Sequence, residues 1–253
     1  MPEISPSKYL VMAGWQDAPH LSEKAKAELL AATPLHLRDA RSKGIPALGS
    51  GAIFPVDESM VTCTPFHVPD YWPQIIGMDF GWDHPTAGAK LAWDRDVDCV
   101  YVTAVYRQKE AQPAVHAAAI KAMGAWIPVA WPHDGNNDMA AGPALAGQYR
   151  TAGLKMLKEH ATHEAGGNSV EAGLMEMYDR MTTGRWKVFS TCQAWFEEFR
   201  LYHRKDGKVV KVLDDTLSAS RYAYMMRRFA QVRQAEKLPK VRTFQPLDPS
   251  MGY

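Results

Sequence analysis

The 253-residue sequence lacks any long hydrophobic run, and no segment reaches the roughly 18 apolar residues that a membrane-spanning helix needs. Its opening stretch, MPEISPSKYLVMAGW, also lacks the apolar centre of a secretory signal. Cysteine is scarce: Cys63, Cys99 and Cys192 lie far apart, are odd in number and show no metal-ligand spacing. We therefore expect no membrane association, no disulfide framework and a reducing cellular compartment.

The sequence also lacks a phosphate-binding loop of the form GxxxxGK[ST], so we do not expect this chain to hydrolyse ATP. Its net charge is only +1, and this balance alone identifies no partner. The charge is nevertheless uneven, because residues 185–233 hold eleven Lys or Arg against five Asp or Glu. Such a basic region can face nucleic acid, or it can be a solvated helical surface.

The chain divides into three segments by pattern. Residues 1–70 combine one short helix, SEKAKAELLAA, with closely spaced Pro and Gly, which predicts an N-terminal arm or linker that packs on the core. Residues 71–236 carry the regular strand and helix patterns and form the predicted globular domain. Residues 237–253 are predicted to be a C-terminal tail.

The globular segment begins with three strand patterns, PQIIGMDFG, AGAKLAWDRD and DCVYVTAVYRQ, which we expect to pair in antiparallel order. A helix, PAVHAAAIKAMGAW, and a short strand in IPVAWPHDG follow. Later come the helices SVEAGLMEMYDRMTTG and CQAWFEEFRLY, a hairpin at Asp206-Gly207, and the last helix, DDTLSASRYAYMMRRFAQVR. This order predicts an α/β fold with a mixed central sheet and helices on both faces.

Acidic residues stand where these separate elements end or begin. Asp79 ends the first strand, Asp134 ends the strand in WPHDG, and Asp214 and Asp215 begin the last helix. Carboxylates that converge repel one another and raise each other's pKa unless cations neutralise them. Two divalent metal ions about 3.5–4 Å apart relieve this repulsion and promote in-line phosphodiester cleavage. Oxygen ligands favour Mg²⁺ or Mn²⁺.

Each aspartate also has a purely structural explanation. Asp79 and Asp134 are suited to strand-end turns, and Asp214 and Asp215 are suited to capping a helix. We favour chemistry because all of them fall where one site needs them. Gly77 and Gly81 flank Asp79, and we expect these small residues to let a DNA backbone approach its carboxylate.

The run from GMDFG through WPHDG to LDDTLSASRYAYMMRRFA resembles the C-terminal nuclease domain of the large terminase subunit of tailed bacteriophages. Residues 15–49 are similar to the segment that follows the packaging ATPase domain in that family. The resemblance implies an RNase H-like fold of the RuvC/integrase type and metal-dependent cleavage of double-stranded concatemeric viral DNA during packaging. It also implies an ATPase domain, a small terminase subunit and a portal protein as partners, and the host cytoplasm as the location.

The resemblance assigns roles to individual residues. Asp79 and Asp134 match the first two catalytic carboxylates, and the third falls on Asp215, with Asp214 as a close alternative and a further metal ligand. Many family members resemble DDxxDAxRYA at this point, whereas Ser218 stands here in place of the later Asp. Candidates for supporting contacts around the metal ions are Asp83, His133 and Ser218. Candidates for DNA contact are Arg204, Lys205, Lys208, Lys211 and Arg221.

Two other functions stay open on the sequence alone. Another RNase H-like nuclease, such as a junction resolvase or a transposase core, would use the same carboxylates, although the terminase-like N-terminal segment argues against it. A non-catalytic module that clamps DNA or docks on the portal would need only the basic surface. Cleavage assays distinguish these functions.

Overall fold

The computed structural model describes residues 3–5, 8–9, 13–33, 38–44, 51–133 and 145–233. The described strands are β1 (Glu3–Ser5), β2 (Lys8–Tyr9), β3 (Thr62–Cys63), β4 (Gln74–Asp79), β5 (Thr86–Asp94), β6 (Cys99–Gln108), β7 (Val129–Ala130), β8 (Trp186–Phe189), β9 (Arg204–Lys205) and β10 (Lys208–Val209). The described α-helices are α1 (Glu23–Ala32), α2 (Arg38–Lys43), α3 (Glu58–Val61), α4 (Pro113–Ala122), α5 (Leu145–Thr151), α6 (Val170–Thr182), α7 (Gln193–Leu201) and α8 (Asp215–Met225). Short 3-10 helices span Trp15–Asp17 and Arg227–Phe229.

The central sheet has six strands in the order β3-β8-β6-β5-β4-β7. Strands β4, β5 and β6 form the predicted antiparallel series, in which Ile75 lies opposite Leu91 and Ala89 lies opposite Val105. Strand β7 pairs with β4, β8 with β6, and β3 with β8, each in parallel. The sheet is therefore mixed, as the sequence predicts.

Helices cover both faces of this sheet. Successive β4 side chains point to opposite faces, and apolar side chains on each face need a covering layer. Ile75 belongs to the core cluster shared with α6, α7 and α8. Ile76 and Met78 belong to a second cluster, which includes Ile120 of α4 and Tyr149 of α5. Two apolar layers therefore fix the sheet, and the predicted α/β architecture is confirmed. None of the described helices is both long and apolar enough to cross a lipid bilayer.

Helix α8 lies unusually close to β4 at Gly77. A Cβ atom at Gly77 would lie 1.9 Å from the carbonyl oxygen of Ala219 and 2.7 Å from the backbone nitrogen of Ala223. Gly77 therefore makes room for α8, and the expectation that it makes room for DNA was wrong. At Gly81 a Cβ atom would lie 2.4 Å from the carbonyl oxygen of His84, so this glycine closes the loop after β4 instead.

The last helix is shorter than the sequence pattern predicts. Helix α8 ends at Met225, because Arg228 donates to the Met225 carbonyl and Arg227 donates to the Tyr224 carbonyl. These bonds satisfy carbonyl groups that a helix end leaves open. The chain then runs back to the sheet, where Gln231 exchanges backbone hydrogen bonds with Gln74.

The residues just before position 71 contribute directly to the core. Ile53, Phe54 and Val61 are buried in it, and Phe54 stacks on Phe199 of α7 with ring centroids 6.1 Å apart. Strand β3 also forms one edge of the six-stranded sheet. The division into segments 1–70, 71–236 and 237–253 stays a prediction.

The predicted hairpin at Asp206-Gly207 forms as β9 and β10, with Lys205 opposite Lys208. Asp206 and Gly207 have positive φ angles of 50° and 74°, as the tightest hairpin turns require. The hairpin is attached to the body at its base, where the Arg204 backbone nitrogen donates to the Gly51 carbonyl over 2.7 Å.

Candidate active site

A cleft of about 250 Å³ opens where β4 ends. Its walls come from the end of β4, the loop that follows, the first residue of α6, the hairpin region and α8. The polar side chains lining it include Asp79, His84, Lys211, Asp214, Asp215 and Ser218. Three of the four predicted metal-binding carboxylates therefore share one cleft.

Asp79 is the last residue of β4 and is half-buried, whereas the five residues before it in the strand are buried. The following loop folds back on itself, because the Thr86 hydroxyl donates to the Gly81 carbonyl and accepts from the Gly81 nitrogen. This closed loop brings His84 to the same cleft as Asp79. The strand end thus presents Asp79 from a fixed position.

Asp214 and Asp215 occupy the N-cap and the first position of α8. The Asp214 side chain makes no capping hydrogen bond, so the capping explanation does not account for its carboxylate. That carboxylate instead accepts a long hydrogen bond of 3.4 Å from the Ser218 hydroxyl, one turn further along the helix. Asp215 is buried, with 6% of its surface exposed.

Both carboxyl groups resist ionisation. Burial raises the pKa of Asp214, and the neighbouring charge of Asp215 raises it further. Burial also raises the pKa of Asp215, although nearby positive groups such as Arg107 act against the shift. A bound cation would stabilise the ionised form of both groups, because opposite charge at close range favours ionisation.

Asp214→Asn is expected to stabilise the metal-free fold at neutral pH, by about 1 kcal/mol. Because folding raises the pKa of Asp214 above its ordinary value of 3.8, its ionised form destabilises the folded state above the raised pKa. This penalty disappears as the pH falls toward the unfolded pKa, so the gain should shrink in acid. Urea unfolding in EDTA, from neutral pH down to the unfolded pKa, measures the difference in unfolding free energy between Asp214→Asn and wild type. Asp83→Asn, an exposed carboxylate beside the cleft, is the control, and a less stable Asp214→Asn at neutral pH contradicts the expectation.

Within the described ranges, no three His, Cys, Asp or Glu side chains lie close enough together to form a complete metal site. Asp134 lies outside the described residues. The donors that are described, Asp79, Asp214 and Asp215, are all carboxylates on one cleft. Their oxygen atoms suit Mg²⁺ or Mn²⁺. Such a cation would neutralise the negative charge that Asp214 and Asp215 carry when they are ionised. The donor set therefore fits a divalent cation, with Asp134 as the predicted addition.

The other candidate residues around the metal ions separate into two groups. Ser218 lines the cleft and contacts Asp214. Asp83 is exposed on the loop after β4 and is not part of the cleft lining. His133 is also exposed and outside that lining, and its ring packs against His160 with centroids 4.7 Å apart.

The candidate DNA-contacting cations differ strongly in exposure. Lys205 and Lys208 are exposed on the hairpin, and Lys211 is exposed while lining the cleft. Arg204 is engaged by a double hydrogen bond to the Glu171 carboxylate of α6, which lowers the pKa of Glu171. Arg221, the fifth candidate, is only 3% exposed, and its contact with DNA stays a prediction.

Arg221 can be buried because the residue that faces it from α6 is a glycine, Gly173. A Cβ atom at Gly173 would lie 2.8 Å from Cδ of Arg221, so the absent side chain provides the space for the arginine. The guanidinium lies over the Tyr222 ring at 4.5 Å, and its Nε atom has no hydrogen-bond partner among the described residues. Arg221 therefore places a buried positive charge in the wall of the cleft.

Comparison with known proteins identifies the family. Residues 76–227 match the family model described as Terminase RNaseH-like domain. The chain belongs to this family. The large terminase subunit of Salmonella phage P22 is 46% identical over 238 residues, which cover 93% of this chain and 48% of that protein. The solved P22 large terminase nuclease domain is 49% identical and covers 73% of this chain and 96% of its own, with a TM-score of 0.69.

The terminase comparisons confirm the predicted RNase H-like fold. The large terminase nuclease of thermophilic phage G20c, solved with bound cobalt, shares this fold at 18% identity and a TM-score of 0.50. That match covers 70% of this chain and 98% of the G20c chain. The present chain spans about half the length of the curated terminase relatives that it matches.

Sequence reasoning missed several residues that surround this terminase cleft. His84 and Tyr202 line it, and Arg107 and Lys109 lie near enough to act electrostatically on Asp215. His84 had a usable signal, because it follows Asp79 closely in GWDHP. The others carry no local motif, since distant strands and helices bring them to the site.

Proposed function

We propose that this terminase RNase H-like domain is a divalent-metal-dependent endonuclease that cleaves double-stranded concatemeric viral DNA during genome packaging. The observation that carries the proposal is the shared cleft of Asp79, Asp214 and Asp215 in a chain 46% identical to the P22 large terminase subunit. The cobalt bound by the G20c nuclease supports the use of a divalent metal.

When bound, two Mg²⁺ or Mn²⁺ ions supply an activated water and stabilise the attacking and leaving oxygens of the phosphodiester. Asp79, Asp134 and Asp215 are the proposed catalytic ligands, and Asp214 is a further ligand. Ser218 orients Asp214 through the hydrogen bond that joins them. The half-buried end of β4 and the buried start of α8 hold these carboxylates on elements that cannot reorient freely.

Double-stranded DNA is proposed to contact the hairpin side of the cleft. Lys205, Lys208 and Lys211 are exposed there, and the charge of Lys211 acts on the Asp214 carboxylate. Contacts from flexible lysines to phosphates carry no sequence information, so we propose little sequence preference. The remaining proposed partners are the terminase ATPase domain, the small subunit and the portal protein, all in the host cytoplasm.

Cleavage of plasmid DNA by the purified chain tests the proposed function. We expect nicking and linearisation with Mg²⁺ or Mn²⁺ and none with EDTA. DNA binding without cleavage in either metal would favour a clamping or portal-docking module. Preferred cutting of four-way junctions over linear duplex would favour a resolvase.

Lys205→Glu combined with Lys208→Glu is expected to weaken DNA binding and flatten its salt dependence. Each lost phosphate contact reduces the slope of log K against log salt by about 0.9, so two contacts reduce it by about 2. Fluorescence anisotropy with a labelled duplex at several salt concentrations measures both effects. Lys24→Glu with Lys155→Glu changes two other exposed lysines by the same charge and serves as the control. If both double variants lost the same amount of DNA affinity, the hairpin would not be a specific DNA contact.

A further inference from the structure

The N-terminus of α8 is capped by a residue from another helix. Glu198 of α7 accepts hydrogen bonds from the backbone nitrogens of Thr216 and Leu217, over 2.7 and 3.1 Å. The same carboxylate oxygen accepts the Thr216 hydroxyl over 2.6 Å. These two N–H groups belong to the first turn of α8, where no intrahelical acceptor is available.

The residue that would normally make these bonds is Asp214. Aspartate at the N-cap position usually accepts from the second or third helical N–H through its own side chain. Here Asp214 makes no such bond, and its carboxylate lines the cleft. Glu198 therefore makes the capping hydrogen bonds. If Asp214 made them instead, its carboxylate would turn away from the cleft.

The capping carboxylate is fully buried, and an arginine from the central sheet donates a hydrogen bond to it. Glu198 is 0% exposed, and its second oxygen accepts from Arg107 at the end of β6 over 3.0 Å. Arg107 also donates to the exposed Glu197 over 2.7 Å. Burial raises the pKa of Glu198, and the hydrogen bonds from Thr216, Arg107 and Leu217 act against this shift by favouring the ionised carboxylate. The start of α8 is thus tied to α7 and to the central sheet.

We propose that Glu198 is a positioning residue for the metal site: by capping α8 from α7, it leaves the Asp214 and Asp215 carboxylates directed into the cleft. This role rests on the proposed nuclease function. Without Glu198, these N–H groups would lose their acceptor, and the Asp214 carboxylate, which stands at the N-cap position, would turn toward them. Metal binding would then have to break this new cap, and the affinity of the site for the metal would fall.

Glu198→Ala tests the proposal through two measurements. In metal-free protein, amide hydrogen exchange at Thr216 and Leu217 should accelerate by about tenfold or more, while exchange at Ala223 deeper in α8 changes less. Isothermal titration calorimetry with Mn²⁺ should show affinity lower by about tenfold, the scale seen when groups that support metal ligands are removed.

Glu197→Ala is the matched control, because Glu197 is the neighbouring glutamate and bonds to Arg107 without contacting α8. It should bind Mn²⁺ within about twofold of wild type. A folded Glu198→Ala with wild-type Mn²⁺ affinity would overturn the proposal. A loss of affinity in Glu197→Ala as large as that in Glu198→Ala would also overturn it, because the effect would then act through Arg107.

Glu198→Gln replaces the alanine variant if that variant does not fold, because it keeps the size of the side chain. A neutral carboxamide is a weaker acceptor than a carboxylate, so we expect faster exchange at Thr216 and weaker Mn²⁺ binding. Faster exchange at Thr216 with unchanged Mn²⁺ affinity would overturn the link between the cap and the metal site. Absence of Mn²⁺ binding and cleavage in wild type would instead reject the proposed function, while metal-free exchange still tests the cap.

Discussion

Asp79→Asn should reduce the rate of plasmid cleavage by about 1000-fold, which corresponds to about 4 kcal/mol of lost transition-state stabilisation. Asparagine has nearly the same shape, so β4 and its pairing with β5 should be preserved. It lacks the negative charge that a hard divalent cation requires. Cleavage is measured as conversion of supercoiled to nicked and linear DNA over a range of Mg²⁺ and Mn²⁺ concentrations.

The matched control for this prediction is Asp96→Asn, which removes an exposed aspartate from the turn between β5 and β6, at the far end of β5 from Asp79. It should cleave at the wild-type rate. Asp134→Ala should lose as much activity as Asp79→Asn if both residues bind the metal ions. Retention of more than about a tenth of wild-type activity in Asp79→Asn would exclude Asp79 as a metal ligand.

Gly77→Ala should destabilise the fold by about 3 kcal/mol, at the upper end of the usual cost of overpacking. The added methyl group would lie 1.9 Å from the Ala219 carbonyl oxygen and 2.7 Å from the Ala223 nitrogen. Both are backbone atoms of α8, so relief requires the helix to move away from β4. Urea unfolding followed by far-ultraviolet circular dichroism measures the loss.

Gly88→Ala is the comparison for Gly77→Ala, because it adds the same methyl group on the neighbouring strand. There the methyl group would lie 2.1 Å from Cδ1 of Ile120, the flexible end of a side chain on the opposite face of the sheet. Rotation of Ile120 can relieve this contact, so the expected cost is only about 1 kcal/mol. Equal costs at the two glycines would show that the closeness of α8 to β4 is not what makes Gly77 necessary.

Local patterns explain which parts of the fold were predictable. Apolar strand patterns, with the polar residues RDVD between the second and third, predict the β4–β6 series. Asp206-Gly207 predicts the hairpin, and both predictions depend on neighbours in the chain. The position of Asp79 at a strand end follows in the same way. These features depend on interactions between residues that are close in the chain, so they can be predicted from the sequence.

The environment of α8 was not predictable for the opposite reason. Its sequence, DTLSASRYAYM, is rich in polar residues, yet nearly the whole helix is buried. The polar groups are satisfied by distant partners: Thr216 bonds to Glu198, and Tyr224 accepts from Arg180 over 2.5 Å. The sequence therefore does not indicate that tertiary packing buries Arg221.

The backbone contact between β4 and α8 has a consequence for the spacing of the proposed metal ligands. Asp79 and Asp215 belong to two elements that meet at Gly77 without an intervening side chain, so their separation behaves as a fixed length. Close-packed interiors resist small continuous deformation. Any change in this spacing would therefore require α8 to move away from β4 at Gly77.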